Sequence, residues 1–193
     1  MSNETLNKNF PEQVTSFLKK KFKIIFSILI ILFIFLFSFL FYNNIQEKNN
    51  IQTAEQYTQA LILINQKKTE DGKMILENII SQEHQFYSPL ALYLIIDKNI
   101  ENDTLKIITL FDEILDNNSI DNENLNLIKI KKAIYLINFN NEKLIIETLN
   151  SVINSNSVWK NLAINIISEY FISNGQNVKA NEYIQLLDKN SNK

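Results

Sequence analysis

The hydrophobic pattern changes its period once along the chain, near residue 43. Residues 24–42 read IIFSILIILFIFLFSFLFY, an uncharged apolar run that only Ser27 and Ser38 interrupt. A helix of that length, at about 1.5 Å per residue, just crosses the roughly 30 Å hydrocarbon core of a bilayer. Only a helix satisfies its own backbone there. We therefore predict one transmembrane helix over residues 24–42.

Beyond this run, apolar residues recur at three- and four-residue steps, which indicates amphipathic helices. No stretch shows the sustained two-residue alternation that is typical of strands. The pattern predicts an all-α domain over residues 43–193. It contains eight helices in four hairpins, whose first helices begin near Asn50, Ser88, Asp121 and Ser157.

Each predicted helix has a buried apolar face. In the first two hairpins these faces contain Ala54, Tyr57, Leu61, Ile64, Met74, Ile75, Ile79, Ile80, Leu90, Ala91, Leu94, Ile95, Ile107, Leu110, Phe111, Ile114 and Leu115. In the last two they contain Leu127, Ile130, Ala133, Ile134, Ile137, Ile145, Leu149, Val152, Ile153, Trp159, Leu162, Ala163, Ile166, Ile167, Tyr170, Phe171, Ala180, Tyr183, Ile184 and Leu187.

Three helix ends have sequence signals. Thr69 is predicted to cap the second helix, with Glu70 and Asp71 in the first turn, where acidic residues favour the helix dipole. Ser88 followed by Pro89 predicts the start of the third helix. Gly175 suits the left-handed position just after the seventh helix.

The hairpins repeat about every 35 residues, close to the tetratricopeptide period of 34. Small residues recur where paired helices approach, at Ala60, Ala133 and Ser168 in first helices and at Gly72 and Ala180 in second helices. We therefore predict an α-solenoid of about four tetratricopeptide-like hairpins. An irregular bundle of eight helices is the alternative.

The predicted repeat register makes a finer prediction about the fifth helix. It places Ala133 at the contact between the fifth and sixth helices, where the two backbones approach closely. Lys132, the preceding residue, is predicted to be exposed to solvent.

Charges flanking the apolar run predict its orientation. Lys19, Lys20, Lys21 and Lys23 precede it directly, whereas only Lys48 lies close after it. The positive-inside rule then makes residues 1–23 a cytoplasmic basic tail and residues 43–193 a periplasmic domain. A cleaved signal peptide is disfavoured, because the run is longer than a signal core and FYNNIQEKNN offers no small-residue cleavage site.

The composition excludes several classes of function. Residues 43–193 carry 14 Lys against 19 acidic residues, a net charge of −5, which argues against nucleic-acid binding. The chain has no Cys, so disulfides and thiolate metal sites are excluded. All 19 basic residues are Lys, and the absence of the Arg fork weakens phosphate recognition.

No arrangement of residues predicts catalysis. His84 is the only histidine, and one His without Cys cannot form a zinc site. The acid pairs Glu70/Asp71 and Asp112/Glu113 are adjacent in sequence, so their side chains diverge on a helix. Trp159 and Tyr170 lie on a helical stripe and are predicted core residues. We expect a non-enzyme without cofactor, metal or small-molecule substrate.

The order of basic tail, single anchor and small tetratricopeptide-like domain, together with SVWKNLAINIISEYFISNGQNVKANEYIQ at residues 157–185, resembles the bacterial YfgM-like family. The resemblance implies an inner-membrane protein with its N-terminus in the cytoplasm. It also implies an ancillary subunit of the SecYEG translocon that cooperates with the membrane-anchored periplasmic chaperone PpiD. The Ala-rich helices common in that family are replaced here by helices rich in Ile, Leu and Asn.

Two functional hypotheses follow. The first is an accessory factor that assists periplasmic chaperone handling of secreted proteins at the translocon. The second is a structural adaptor of the cell envelope or the division machinery, unrelated to secretion. Both are protein-interaction modules held at a membrane.

Overall fold

The computed structural model describes the backbone of residues 9–191 and the side chains of residue 24 and residues 26–187. All secondary structure in this range is α-helical. The helices are α1 (Asn9–Asn65), α2 (Thr69–Ser81), α3 (Tyr87–Asp97), α4 (Thr104–Leu115), α5 (Asn122–Ile137), α6 (Glu142–Ile153), α7 (Lys160–Ser173) and α8 (Asn177–Ser191). The side chains of the predicted basic tail, residues 1–23, lie outside the described residues.

The helix α1 contains both the predicted membrane span and the first helix of the first hairpin. Within the described residues, it is the helix that is long and apolar enough to cross a membrane, and its apolar side chains from Phe26 to Tyr42 are exposed. The prediction that a new helix begins near Asn50 is wrong, because α1 continues through that residue. Residues 43–52 contain neither Gly nor Pro, so no residue there breaks the helix.

The chain divides into two compact units, residues 1–52 and residues 53–193. In the second unit, neighbouring helices along the chain pack against each other from α2 to α8, and α2 also contacts α4 while α5 contacts α7. Its buried residues form two clusters, one running from Ala60 to Ile128 and the other from Ile130 to Ala180. Helix α5 contributes to both clusters and joins the two halves of the unit.

The predicted small residues lie at close contacts between helices. A Cβ atom on Gly72 would lie 2.7 Å from Cγ1 of Ile64 and 3.1 Å from the carbonyl oxygen of Ala60. The backbones of α1 and α2 therefore approach too closely for a larger residue. Ala60 and Ala133 are fully buried, which confirms their predicted burial.

The predicted buried faces of α4 and α6 are confirmed at Ile107, Leu110, Phe111, Ile114, Ile145, Leu149, Val152 and Ile153. Four residues that were predicted to be buried are exposed instead, namely Met74, Ile134, Leu162 and Ile184. Met74 lies two residues from both Gly72 and Leu76, so it is on the side of α2 away from the buried face. Leu76, predicted at the large apolar position of the second helix, is fully buried, and Leu92, Ile128, Leu136 and Ile164 occupy further core positions that were not predicted.

The prediction that Lys132 is exposed is wrong. Only 6% of the residue is accessible, and its Nζ atom forms an ion pair with Oδ1 of Asp112 on α4. The aliphatic stem of a lysine can cover apolar surface while its ammonium group reaches a polar partner. Lys132 therefore belongs to the α4–α5 contact.

Two predicted helix caps are wrong. Thr69 is the first residue inside α2, and the residue before it, Lys68, makes no side-chain cap. The preceding turn is closed by Lys67, whose φ of 66° lets its own N–H and that of Lys68 bond to carbonyls in the last turn of α1.

Ser88 lies inside α3 rather than capping it, and its buried hydroxyl donates to the carbonyl oxygen of Ile79 over 2.8 Å. The prediction for Gly175 is confirmed, with φ of 72° and N–H bonding to the carbonyl of Ile172 at 2.9 Å. The N–H of Gln176 bonds to the carbonyl of Phe171 at 2.8 Å and completes the C-terminal motif of α7.

We expect Ala133→Leu to destabilise the second unit by about 1–3 kcal/mol, because Ala133 is fully buried and three added carbon atoms overpack its contacts. Thermal unfolding of the full chain in detergent measures the effect. Ile134→Leu is the control, since Ile134 is 46% exposed and the change should stay within about 0.5 kcal/mol. Equal shifts for the two variants would contradict the assigned helix contact.

Candidate interaction surface

Five aromatic side chains on or just after α1, α3 and α5 are here called the aromatic row: Tyr57, Tyr87, Tyr93, Tyr135 and Phe139. The four tyrosines pack against the first core cluster. The ring centroids of Tyr57 and Tyr87 lie 5.8 Å apart, which joins α1 to α3. The centroids of Tyr135 and Phe139 lie 5.0 Å apart on and just after α5. Tyrosine offers a large apolar face with a polar tip, which suits surfaces that bind other proteins.

A lysine joins α5 to the Tyr93 ring on α3. The ammonium group of Lys131 on α5 lies 5.9 Å from the centroid of the Tyr93 ring on α3. Such a cation over an aromatic face is attracted by the negative charge density of the ring. Phe139 is 50% exposed, whereas the four tyrosines are partly buried, so the row is partly anchored and partly available to a partner.

Tyr57 and Tyr93 of the row stay neutral under physiological conditions. Burial raises the pKa of Tyr93 to about 12. Burial, followed by the neighbouring Tyr87, also raises the pKa of Tyr57 above its ordinary value. Their hydroxyl groups therefore act as hydrogen-bond donors and acceptors and carry no charge.

Ion pairs occupy other parts of the second unit. Lys73 on α2 lies 2.6 Å from Glu101 in the α3–α4 link, and Lys106 on α4 lies 3.8 Å from Glu77 on α2. The bond from Lys73 is the main cause that holds the pKa of Glu101 at about 2. These two pairs involve second helices and the segment beside them, whereas the Lys132–Asp112 pair joins α4 to α5, the helix that carries Tyr135 of the aromatic row.

His84 forms the cap of α3 that the serine pattern assigned to Ser88. Its Nδ1 atom accepts hydrogen bonds from the N–H groups of Phe86 and Tyr87, each at 3.1 Å. Its ring also packs edge-on against Tyr87 of the aromatic row, with centroids 5.0 Å apart. An imidazole nitrogen that accepts two N–H bonds must be unprotonated, so the neutral form caps the helix.

We expect stability to fall on acidification because of His84. Burial lowers its pKa in the folded protein below the ordinary 6.5, so the unfolded chain binds its proton at higher pH. The His84 contribution is therefore present above pH 6.5 and is lost as the pH falls toward the folded pKa. Unfolding of the full chain, followed from neutral pH to about pH 5, measures the effect.

His84→Asn should reduce this dependence between pH 6.5 and the lower folded pKa, because an Asn oxygen caps a helix and does not titrate. At neutral pH, His84→Ala should cost about 0.5–2 kcal/mol through the lost cap. Identical pH profiles for wild type and His84→Asn would contradict the assigned role.

The other residues considered in the sequence as candidates for chemistry lie in the core or on a solvated helix face. Tyr170 is buried as predicted, and Trp159 is half-buried against the second core cluster. Glu70 and Asp71 are exposed in the first turn of α2, as expected for a solvated face. His84 is the residue whose part in the surface was missed, because ring-nitrogen capping has no signature in the order of residues.

No protein-family model, curated protein or solved structure matches the chain. The class of the protein is therefore described from its fold and surface alone. Its described part is helical, with one N-terminal helix that is long and apolar enough to span a membrane. A second, compact unit of packed helices carries the aromatic row.

Proposed function

We propose that the chain is a membrane-anchored protein-interaction module and not an enzyme. Its partner would bind over the aromatic row. The observation that carries the proposal is the concentration of tyrosines on the first helices of the second unit, at Tyr57, Tyr87, Tyr93 and Tyr135. Three ion pairs, Lys73–Glu101, Lys106–Glu77 and Lys179–Glu142, lie on second helices or the links beside them, while Lys132–Asp112 joins α5 to α4. Tyr-rich patches with low charge are typical of protein-binding surfaces.

We further propose that the second unit is a stack of four tetratricopeptide-like hairpins. Side-chain hydrogen bonds between successive hairpins support it, because they join residues one repeat apart. Ser157 donates to Glu123 and Gln176 donates to Glu142, each across 34 residues, and Tyr183 donates to Asn150 across 33. These separations match the 34-residue tetratricopeptide period.

The helix contacts are consistent with the same stack. In stacked hairpins, each hairpin packs against the next, so second helices meet second helices and first helices meet first helices. The α2–α4 contact is of the first kind, and the α5–α7 contact is of the second. Stacking leaves the first helices as a continuous surface for a partner.

The anchor in this proposal is residues 24–42, with residues 1–23 in the cytoplasm and the stack in the periplasm of a bacterial inner membrane. The lysines before the span support that orientation through the positive-inside rule. Confinement to the membrane raises the local concentration of the module beside membrane partners. A weak contact through the aromatic row is then sufficient for association.

For the partner, we propose the SecYEG translocon and a PpiD-like membrane-anchored chaperone. The proposal rests on the resemblance of residues 157–185 and of the domain order to the YfgM-like family. In this role the module would assist the chaperone where secreted chains leave the channel. A scaffold of the envelope or of the division machinery would use the same surface with other partners.

Site-specific photo-crosslinking in cells tests both the surface and the partner. A crosslinker at Phe139, which is 50% exposed in the row, should capture translocon subunits or the chaperone. The control crosslinker replaces Leu105, which is 73% exposed on α4 and lies outside the row. Capture of division or envelope proteins from Phe139 would favour the scaffold. Equal capture from both positions would reject the row as the binding surface.

A further inference from the structure

A polar cavity of about 380 Å³ lies between the first turns of α5 and the region joining α6 to α7. Its walls include three asparagines, three serines, Lys129, Glu123 and Leu125. Cavities that hold small molecules in proteins usually measure about 300–1,000 Å³. The space is therefore large enough for a ligand of roughly the size of one sugar.

Asn126 is the most deeply buried residue of the cavity wall. Only 7% of the residue is accessible, yet its amide makes no side-chain hydrogen bond within the described part of the chain. No side-chain nitrogen or oxygen in that part is both sealed from solvent and without a partner. The Asn126 amide must therefore open onto the cavity that it lines. A nearly buried amide costs free energy unless something there accepts or donates a hydrogen bond.

The rest of the wall supplies both donors and acceptors, with Lys129 as its cation. Lys129 has no carboxylate within ion-pair distance, and the amides of Asn122 and Asn156 have no protein partner, in the part of the chain that the structure describes. An ammonium group offers three N–H donors and each side-chain amide offers two. A wall of this kind suits a ligand that is rich in oxygen atoms and carries a negative charge near Lys129.

The carboxylate in the wall is already engaged. Oε2 of Glu123 accepts a hydrogen bond of 2.7 Å from the Ser157 hydroxyl and one of 3.3 Å from the N–H of Val158. These bonds connect the start of α5 to the segment before α7 and hold both sides of the cavity. The remaining oxygen of Glu123 is an acceptor suited to a ligand hydroxyl.

We propose that this cavity binds a small polyhydroxylated anion, such as a sugar acid. Lys129 holds the anionic group, the asparagine amides donate to it and to hydroxyl oxygens, and Glu123 accepts from a hydroxyl. The amide of Asn126 supplies the buried contact that selects for such a ligand. This site is separate from the aromatic row, and its ligand is additional to the protein partner.

The test uses the full chain in detergent with three soluble probes, and ligand-observed NMR titration as the readout. D-gluconate carries hydroxyls and a carboxylate, D-glucitol carries hydroxyls without charge, and inorganic phosphate carries charge without a hydroxyl chain. We expect gluconate to bind with a dissociation constant of about 1 mM and each of the other two about tenfold more weakly.

Variants assign the binding to the cavity. Asn126→Leu should weaken gluconate binding about tenfold, and Lys129→Met should remove the preference for gluconate over glucitol. Asn156→Ala, at an exposed wall residue, serves if Asn126→Leu does not fold, and it should weaken binding several-fold. Lys143→Met is the control, since Lys143 is exposed on α6 outside the cavity, and it should leave binding unchanged.

Several results would overturn the proposal. One is the absence of saturable gluconate binding by the wild-type chain at tens of millimolar. Another is gluconate binding that Asn126→Leu or Asn156→Ala, when folded, leaves unaltered. If phosphate bound as tightly as gluconate, the site would recognise only negative charge and not hydroxyl groups. None of these results bears on the aromatic row, so the two proposals can fail separately.

Discussion

Three lysines in the apolar run should release the protein from membranes. The variant carries Ile31→Lys, Ile34→Lys and Phe35→Lys, all near the middle of residues 24–42, where the wild-type side chains are exposed. Each lysine near the centre of a span costs about 2.5–3.5 kcal/mol, while each residue such as Leu, Ile or Phe contributes only about 0.3–0.6 kcal/mol. Together they cancel the favourable transfer of the whole run.

Alkaline carbonate extraction of membranes measures this effect. The wild type should stay in the pellet, whereas the triple-lysine variant should appear in the soluble fraction or be degraded. The control carries Leu at the same three positions and should remain in the pellet. Retention of the triple-lysine variant in the pellet would show that residues 24–42 do not anchor the chain.

The helices of the second unit were predictable because apolar residues at helical spacing mark the face that each helix buries. Ile107, Leu110, Phe111 and Ile114 recur at helical spacing, and all four are buried on α4. Burial of one apolar face is what stabilises such a helix, so the period and the packing carry the same information. The prediction is wrong for Met74 and Ile184, which are both exposed.

Contacts that depend on a distant partner were not predictable. Lys132 is buried because its ammonium group donates a hydrogen bond to Asp112, twenty residues earlier. The sequence around Lys132 gives no sign that these two residues meet. The same holds for Glu123 and Ser157, which meet across 34 residues. A charged residue in a helix is predicted to be exposed unless its ion-pair partner is known.

Elements of the two proposed sites were only partly visible in the sequence. The tyrosines on the first helices could be assigned to helices, but the ring contacts between α1, α3 and α5 require the packed structure. Asn126 looked like any polar helix residue, since only its burial beside a cavity distinguishes it. Polar residues give no periodic signal of their own, and that is why the cavity was missed.

The largest change in stability is expected for Phe171→Ala on α7. Phe171 is 1% exposed, its ring stacks on Tyr183 of α8 with centroids 5.7 Å apart, and it belongs to the second core cluster. Truncation of a buried Phe leaves a cavity and typically costs about 3–5 kcal/mol. For a unit of this size that corresponds to a melting temperature lowered by roughly 6–20 °C.

Phe86→Ala is the matched control, because the Phe86 ring is 58% exposed beside α3. Its cost should stay below about 1 kcal/mol, since little apolar surface is returned to water. Thermal unfolding of both variants in detergent gives the comparison. Similar losses for the two would contradict the assigned burial of Phe171.

Hydrogen exchange on Phe171→Ala also separates a stack of hairpins from an irregular bundle. In a stack, each hairpin contacts only its neighbours, so loss of a core residue in the last hairpin should open α7 and α8 first. Amides of α2 and α3, which pack in the first core cluster, should then keep their protection. In a single cooperative bundle the protection would fall equally in all helices. Faster exchange confined to α7 and α8, with at most a smaller effect on α6, is the result that the 34-residue hydrogen bonds lead us to expect.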